Sequence, residues 1–187
     1  WNKTLFDAYV NMLLTQTEAM SAVLGGADSV TVEPFDIVFK APDEFSERIA
    51  RNQQLLLMEE SHLDKVADPG AGSYYLEKLT SLIAGQAWKL FLEVESEGGF
   101  LAAAKNGSIQ KKIKEVALTR HSDVAKRREI ILGTNQYPNF KEQHSPKVDY
   151  ERVFAGGITE KGEVETIEPS RAAVDFEKLR IATDRSE

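Results

Sequence analysis

Apolar residues recur every three or four positions over the first part of the chain, which is the spacing of one buried face of an α-helix. The pattern predicts a helix from Thr4 to about Leu24, with Thr4 as the N-cap and Gly25-Gly26 as the stop. The apolar positions of this helix are Leu5, Ala8, Tyr9, Met12, Leu13, Met20 and Val23.

Two further long helices are predicted from their start and stop signals. An acidic first turn at residues 42–44 opens one that ends near Ser61, because acids there face the positive end of the helix dipole. Ser73 is placed to cap another that covers residues 74–97. The expected buried stripe of that helix consists of Leu76, Leu79, Leu82, Ile83, Ala87, Leu90, Phe91 and Val94.

Shorter elements follow the same reasoning. We predict a helical turn at residues 101–105, a helix over residues 108–128 and some helical character at residues 172–183. The helix over 108–128 is expected to bury Ile109, Ile113, Val116 and Ala117. The β-branched run at residues 29–32 predicts a buried strand, and residues 130–132 predict a short second one.

The pattern changes beyond Gly133, where prolines and glycines interrupt a polar stretch without a sustained apolar period. This change predicts two parts. Residues 1–137 form a compact body, and residues 138–187 form an extended linker or arm.

Composition narrows the class of protein. The net charge of −7 argues against a nucleic-acid or membrane-surface binder, because neither polyanion is attracted to an acidic surface. The chain has no cysteine, which excludes disulfides and thiolate metal sites. No apolar run is long enough to cross a bilayer and no signal-peptide layout is present, so we expect a cytoplasmic location. A start at Trp1 instead of Met indicates a piece of a longer protein.

None of the titratable side chains stands in a known catalytic or metal-binding spacing. His62, His121 and His144 are far apart in sequence, which favours solvated or helix-capping roles. The acidic pairs and runs at residues 59–60 and 93–97 are typical of a solvated face. We therefore predict no catalytic, cofactor-binding or metal-binding residue from spacing.

Two segments carry weaker signals. The turn at residues 68–73 leads into a helix and could cradle a phosphate, but it lacks the Walker lysine and the dinucleotide glycine spacing, so a structural connector is favoured. Lysines and arginines at residues 111–114 and 126–128 form a basic patch that could meet an acidic partner or a coenzyme A phosphate. In so acidic a chain, a solvated face is the better interpretation.

Several stretches together carry a resemblance to a known family. Residues 45–52 read FSERIARN and residues 67–74 read ADPGAGSY. They are followed by Ala87-Trp88, by Glu93-Val94-Glu95 before two glycines, and by GTNQY at residues 133–137. In this order and spacing they resemble the methylmalonyl-coenzyme A (CoA) mutase family.

The resemblance implies an α/β fold, with the chain supplying the C-terminal, mostly helical part of a (β/α)₈ barrel that binds the acyl-CoA. The arm would then lead toward a cobalamin-type domain. Family members use adenosylcobalamin, but the cobalamin signature Asp-x-His-x-x-Gly is nowhere in this sequence. We therefore expect any cofactor to be held by a partner, the catalytic large subunit of a heterodimer.

The most informative departure from the family lies at residues 25–30, which read GGADSV where catalytic members read GHTQSL. Gly26 and Asp28 replace a histidine and a glutamine that help to line the substrate pocket. Glycine has no side-chain donor, and an ionised aspartate repels a carboxylate substrate. These losses resemble the non-catalytic small subunits of heterodimeric mutases, which implies an isomerase of propionate metabolism to which this chain contributes structure.

Two alternatives remain open from the residues. The chain could belong to a catalytic subunit of a related acyl-CoA mutase whose pocket has changed to accept another substrate. It could also be a helical interaction module with accidental similarity, although this explanation leaves the ordered set of matches unexplained.

Overall fold

The computed structural model describes residues 1–142, 148, 150–154, 162–184 and 186. Within these residues the fold is mostly helical and no strand is present. The helices are α1 (Val10–Leu24), α2 (Glu44–Glu59), α3 (Tyr74–Ser96), α4 (Phe100–Asn106), α5 (Ser108–Ala125), α6 (Tyr150–Phe154) and α7 (Val174–Asp184).

The chain divides into two compact units. Unit 1 comprises Trp1–Ala67, Arg120–Ala155 and Ser170–Glu187, and unit 2 comprises Asp68–Thr119 and Gly156–Pro169. The predicted boundary between a body over residues 1–137 and an arm over residues 138–187 remains a prediction.

The prediction that the first helix starts at Thr4 is wrong. Helix α1 begins at Val10, and its N-cap residue Tyr9 makes no side-chain capping bond. Thr4 is instead 1% exposed, and its hydroxyl lies 2.9 Å from the Phe6 carbonyl and 3.1 Å from Asn11 Oδ1. These tertiary hydrogen bonds hold residues 4–6 outside the helix, while the predicted stop at Gly25 is confirmed.

Both predicted strands are also wrong. Among the described residues, no backbone hydrogen bond joins residues 29–32 to a neighbouring segment, so a ladder cannot form there. In the second segment only an isolated parallel bridge between Leu132 and Gln136 is present. β-Branched residues favour extended backbone, but a strand exists only where a partner strand pairs with it.

The start of α3 confirms its predicted cap, and α2 begins at Glu44, within the segment predicted to open it, with Asp43 as the N-cap. The Asp43 carboxylate accepts the Ser46 backbone N–H at 2.9 Å, and Ser46 Oγ accepts the Asp43 N–H at 3.0 Å, which completes a capping box. Ser73 accepts the Leu76 N–H at the start of α3. These caps are local, so the sequence is sufficient to place them.

Unit 1 contains two small apolar clusters. Leu5, Phe6 and Ile181 form one, and Val124, Ile131 and Ala172 form the other. In both, residues from the start of the chain or from α5 and its following loop pack against residues near or within α7. Tertiary contact thus brings residues 172–181 onto segments more than 40 positions earlier in the sequence.

A buried ion pair lies beside these clusters. Arg171 donates two hydrogen bonds to the Glu177 carboxylate, at 2.9 and 2.8 Å, and a third to the Lys3 carbonyl at 3.0 Å. Glu177 also accepts the Leu5 backbone N–H at 2.7 Å and is only 2% exposed. Every contact is charge-assisted, so the pair anchors the start of α7 to residues 3–5.

Unit 2 has a different interior. Among its described residues, only Ala103, Ala104 and Gln110 are buried, and α3 buries none. The residues of the expected buried stripe of α3 are exposed in this chain, except for the half-buried Val94, and Ile113 and Val116 of α5 are exposed as well. The helical period of the stripe is correct, but period identifies a face and does not identify what covers it.

Replacing Glu177 by alanine leaves the half-buried Arg171 guanidinium without its counter-charge. We expect the free energy of unfolding of unit 1 to fall by about 3 kcal/mol, the usual consequence of breaking a buried pair from one side. Asp175→Ala, on the exposed side of the same helix, is the matched control and should change it by no more than about 0.5 kcal/mol. Urea titration followed by circular dichroism measures both, and equal losses would contradict the assigned role of the pair.

The cap of α2 predicts a pH dependence. The Lys40 ammonium, 2.6 Å away, and the Ser46 N–H lower the pKa of Asp43 from 3.8 to about 2. A lowered folded-state pKa adds stability above the unfolded value, and this stability is lost as the pH falls from 3.8 towards 2. Asp43→Asn keeps a capping oxygen but does not titrate, so the stability difference between wild type and variant should shrink over that interval. A constant difference would contradict this assignment.

Candidate functional site

Residues 25–28, where the sequence departs from catalytic members of the resembled family, directly follow α1 and form the turn that terminates it. The Gly26 N–H donates to the Val23 carbonyl at 3.1 Å and the Ala27 N–H to the Ala22 carbonyl at 3.0 Å. These two bonds define a Schellman motif, and Gly26 occupies its left-handed position with a φ of 75°. Gly26 therefore terminates the helix, in agreement with the stop predicted at Gly25-Gly26.

The space around Gly26 is open. A Cβ atom added there would meet no atom within 4 Å, so backbone conformation alone opposes a side chain. Asp28 is exposed and makes no hydrogen bond or ion pair with any described residue. The two positions thus present neither a donor nor a paired charge that could orient a substrate.

A groove of about 390 Å³ lies beside this segment, between α1 and residues 30–33. Several of its polar groups are already paired: Glu18 contacts Lys3 at 3.7 Å and accepts a hydrogen bond from Asn2, and the Thr15 hydroxyl donates to the Asn11 carbonyl at 2.8 Å. Glu33 is the one lining carboxylate that has no partner among the described residues. A general acid or base must be free to reach substrate. The groove can accept a small group sterically, but its lining offers no catalytic pair.

The hydrogen bonds of the turn at residues 68–73 support a structural connector, which is the interpretation that the sequence favoured over a phosphate cradle. The Gly70 N–H donates to Asp68 Oδ1 at 3.1 Å, the Ala71 N–H to the Asp68 carbonyl at 3.3 Å and the Ser73 N–H to the Gly70 carbonyl at 3.2 Å. The Gly72 N–H faces the Glu77 carboxylate at 3.4 Å. A phosphate needs these N–H groups free and no carboxylate nearby.

The histidines are not brought together. His62 is exposed with a φ of 53°, and His121 lies edge-on to the Trp1 ring, 4.0 Å from an Asp175 carboxylate oxygen. His144 lies outside the described residues. The described part of the chain contains no cluster of metal-ligating side chains.

Three residues of the basic patch have acidic partners. Lys112 pairs with Glu93, and Lys114 pairs with Glu165. Arg128 lies 3.8 Å from Asp123. These pairs favour the interpretation of the patch as a solvated face.

Sequence reasoning missed the buried polar residues. Asn11 is fully buried and donates to the Thr4 and Phe35 carbonyls at 2.8 and 3.0 Å. Asp36 is fully buried too; its Oδ2 has the ion pair with Lys40 at 2.9 Å, without hydrogen-bond geometry, and its Oδ1 has no partner among the described residues. A polar residue inside an apolar helical period, as at Asn11, is the signal that points to such a network.

An apolar surface of α3 is exposed to solvent. We define the α3 face as Leu76, Leu79, Ile83 and Leu90, which lie within about 60° of one another around the helix at 100° per residue. Their exposed fractions run from 39% to 61%. Contiguous apolar surface of this kind marks an interaction site in soluble proteins. No described helix is long and apolar enough to cross a membrane.

The described chain is a mostly helical part of a protein, with an exposed apolar face on α3 and a turn after α1 that ends the helix at Gly26. The family model of methylmalonyl-CoA mutase matches residues 1–184. The chain belongs to the methylmalonyl-CoA mutase family, which confirms the resemblance seen in the sequence.

The chain is similar to proteins named as methylmalonyl-CoA mutases and as their small subunits. The chain is 57% identical to a methylmalonyl-CoA mutase small subunit of Porphyromonas gingivalis, over 100% of this chain and 30% of that protein. It is 39% identical to a small subunit of Streptomyces virginiae, over 90% of this chain and 27% of the relative. A methylmalonyl-CoA mutase of Rhizobium meliloti is 40% identical over 95% of this chain and 24% of its own length. The chain thus spans between about a quarter and a third of the curated relatives it matches.

Gly26→Ala places an L-residue in the left-handed position of the Schellman motif. We expect the free energy of unfolding of unit 1 to fall by about 1 kcal/mol, and Gly26→His to cost a similar amount. Gly26→Asn is the control, because asparagine tolerates this conformation, and its loss should be smaller. Thermal unfolding followed by circular dichroism ranks the three variants, and an alanine variant as stable as wild type would contradict the strain.

Proposed function

We propose that this chain is part of the non-catalytic small subunit of a heterodimeric, adenosylcobalamin-dependent mutase that interconverts methylmalonyl-CoA and succinyl-CoA. It supplies packing for the C-terminal part of a (β/α)₈ barrel and contacts between subunits. Its partner is the catalytic large subunit, which holds the cofactor, and the location is cytoplasmic. Residues 138–187 serve as the arm that leads toward a cobalamin-type domain.

The segment at residues 25–28 carries this proposal. A pocket that binds a carboxylated acyl group needs donors, and here Gly26 supplies only a helix terminator while Asp28 supplies an exposed negative charge. The repulsion between Asp28 and a carboxylate opposes substrate binding at this edge. Similarity to two proteins named as small subunits supports the same conclusion.

The cofactor does not fit the described residues. Cobalamin in this family is expected to take a histidine from an Asp-x-His-x-x-Gly segment, which the sequence lacks. His121 is packed against the Trp1 ring, and His62 follows α2 in an exposed turn. We therefore assign no step of the isomerisation to this chain.

The α3 face supports the contact role. Four aliphatic side chains on one side of a 23-residue helix are exposed to water in this chain, and burial of each would contribute about 1 to 2 kcal/mol. A scaffold subunit uses such surfaces to join the rest of the barrel and its partner.

One observation favours a second candidate function. The Rhizobium meliloti relative is 40% identical and is named as a mutase without the designation of small subunit. The chain would then belong to a catalytic subunit of a related acyl-CoA mutase whose pocket accepts a different substrate. Under this alternative Asp28 would face a cationic or neutral acyl group instead of a carboxylate.

Size-exclusion chromatography with light scattering separates the two candidates. The full-length small chain is run alone and with the large subunit and adenosylcobalamin, and each peak is assayed for mutase activity. We expect a one-to-one complex that holds all the activity, and none in the small chain alone. Gly26→His/Asp28→Gln in the small chain should leave its own activity at zero, because the cofactor site remains in the partner.

Turnover by the small chain alone, with methylmalonyl-CoA or with a panel of other acyl-CoA esters, would overturn the non-catalytic assignment and favour the second candidate. Activity that appears only after the double substitution would show that residues 26 and 28 alone had silenced a complete site. Ala27→Ser, between the two positions, is the matched control for the substitutions.

A further inference from the structure

An acidic segment of unit 2 lies along α4 and α5. We define the strap as residues 162–169, which begin with a glycine, end with a proline and contain no helix. Glu163 and Glu165, two positions apart, are the acidic groups through which it contacts the helices. The strap is the second stretch of chain, far along the sequence from 68–119, that contributes to unit 2.

Two lysines on separate helices form ion pairs with the strap. Lys105 Nζ, in the last turn of α4, lies 2.6 Å from Glu163 Oε2. Lys114 Nζ, on α5, pairs with Glu165 Oε1. Because the glutamates are two residues apart and the lysines belong to different helices, both pairs form together in only one register.

Gln110 lies between the two lysines in sequence, and its side chain donates a hydrogen bond to the main chain of the strap. Gln110 is only 3% exposed. Its Nε2 donates to the Ala104 carbonyl at 3.0 Å and to the Glu165 carbonyl at 3.1 Å. Its Oε1 is buried without a partner among the described residues. The amide therefore links α4 to the strap and retains an acceptor that faces the protein interior.

The geometry points to a charge-latched docking site: Lys105, Gln110 and Lys114 form a receptor for an acidic segment, and the strap occupies it reversibly within the same chain. The buried amide fixes the main chain at one point, and the two lysines select acids two positions apart. This inference concerns unit 2 alone and does not depend on the proposed role of the chain as a mutase subunit.

The exposure of the ion pairs makes the latch reversible. The side chains of Lys105 and Glu163 are 49% and 80% exposed, and those of Lys114 and Glu165 are 60% and 53% exposed. Exposed pairs are weak and are screened by salt. The docked state should therefore lose population as ionic strength rises, whereas a strap held by apolar burial would not respond in this way.

A spin label on the strap measures the docked population. The chain has no cysteine, so Thr166→Cys supplies its single thiol at an exposed position next to Glu165. The electron paramagnetic resonance line shape separates a slowly moving, docked label from a rapidly moving, released one. We expect Lys105→Glu/Lys114→Glu to lower the ratio of docked to released label several-fold, and Glu163→Lys/Glu165→Lys to do the same.

The fourfold variant that exchanges all four charges should recover most of the docked ratio, because opposite charges again face each other in the same register. Lys78→Glu/Lys111→Glu is the matched control, since it changes the net charge equally at two unit 2 lysines that have no ion pair with a described residue. Raising the salt from about 0.05 M to about 1 M, where the Debye length falls to roughly 3 Å, should lower the ratio in the wild type.

Two results would overturn the latch. The first is a label that remains as immobile in both double reversals as in the wild type. The second is a fourfold exchange that fails to recover docking while circular dichroism shows that α4 and α5 remain folded. Lys105→Gln/Lys114→Gln keeps the test decisive if a reversal unfolds the helices, because it removes the attraction without adding repulsion and should release the strap to a smaller extent.

Discussion

The Arg171–Glu177 pair is the constraint on which the rest of unit 1 depends. Glu177 is 2% exposed and accepts three hydrogen bonds from Arg171 and the Leu5 N–H, so its charge is fully compensated inside the unit. Such a carboxylate tolerates burial only in this geometry, since an unpaired buried charge costs several kcal/mol. The pair therefore fixes residues 3–5 against α7, and the apolar clusters around Leu5 and Ala172 follow from that placement.

Unit 2 is organised differently, because it has no buried ion pair and almost no buried side chain among its described residues. Its long helix α3 has a good cap and a regular apolar period, yet its α3 face meets water. The contrast between the units agrees with the contact role that we propose for the α3 face. Unit 1 has its own buried interior, whereas unit 2 exposes the apolar surface to which we assign that role.

Local signals in the sequence were enough to place the starts of α2 and α3, because their caps use residues three positions apart. They failed where distant contacts decide. Thr4 has the chemistry of an N-cap, but its hydrogen bonds to Asn11 hold it outside α1. The β-branched residues 29–32 lack a pairing strand. The stop at Gly25-Gly26, which depends only on local backbone, was predicted correctly. The family, in contrast, was evident from short motifs in the correct order.

The bond between the Leu5 N–H and Glu177 spans 172 positions of the chain. During synthesis the ribosome delivers Leu5 long before Glu177, so unit 1 cannot close its interior until the 171 intervening residues and Glu177 have emerged. Until then Leu5 and Phe6 remain without their contacts to α7 on the nascent chain. That interval is when the chain is most open to chaperones or to premature association.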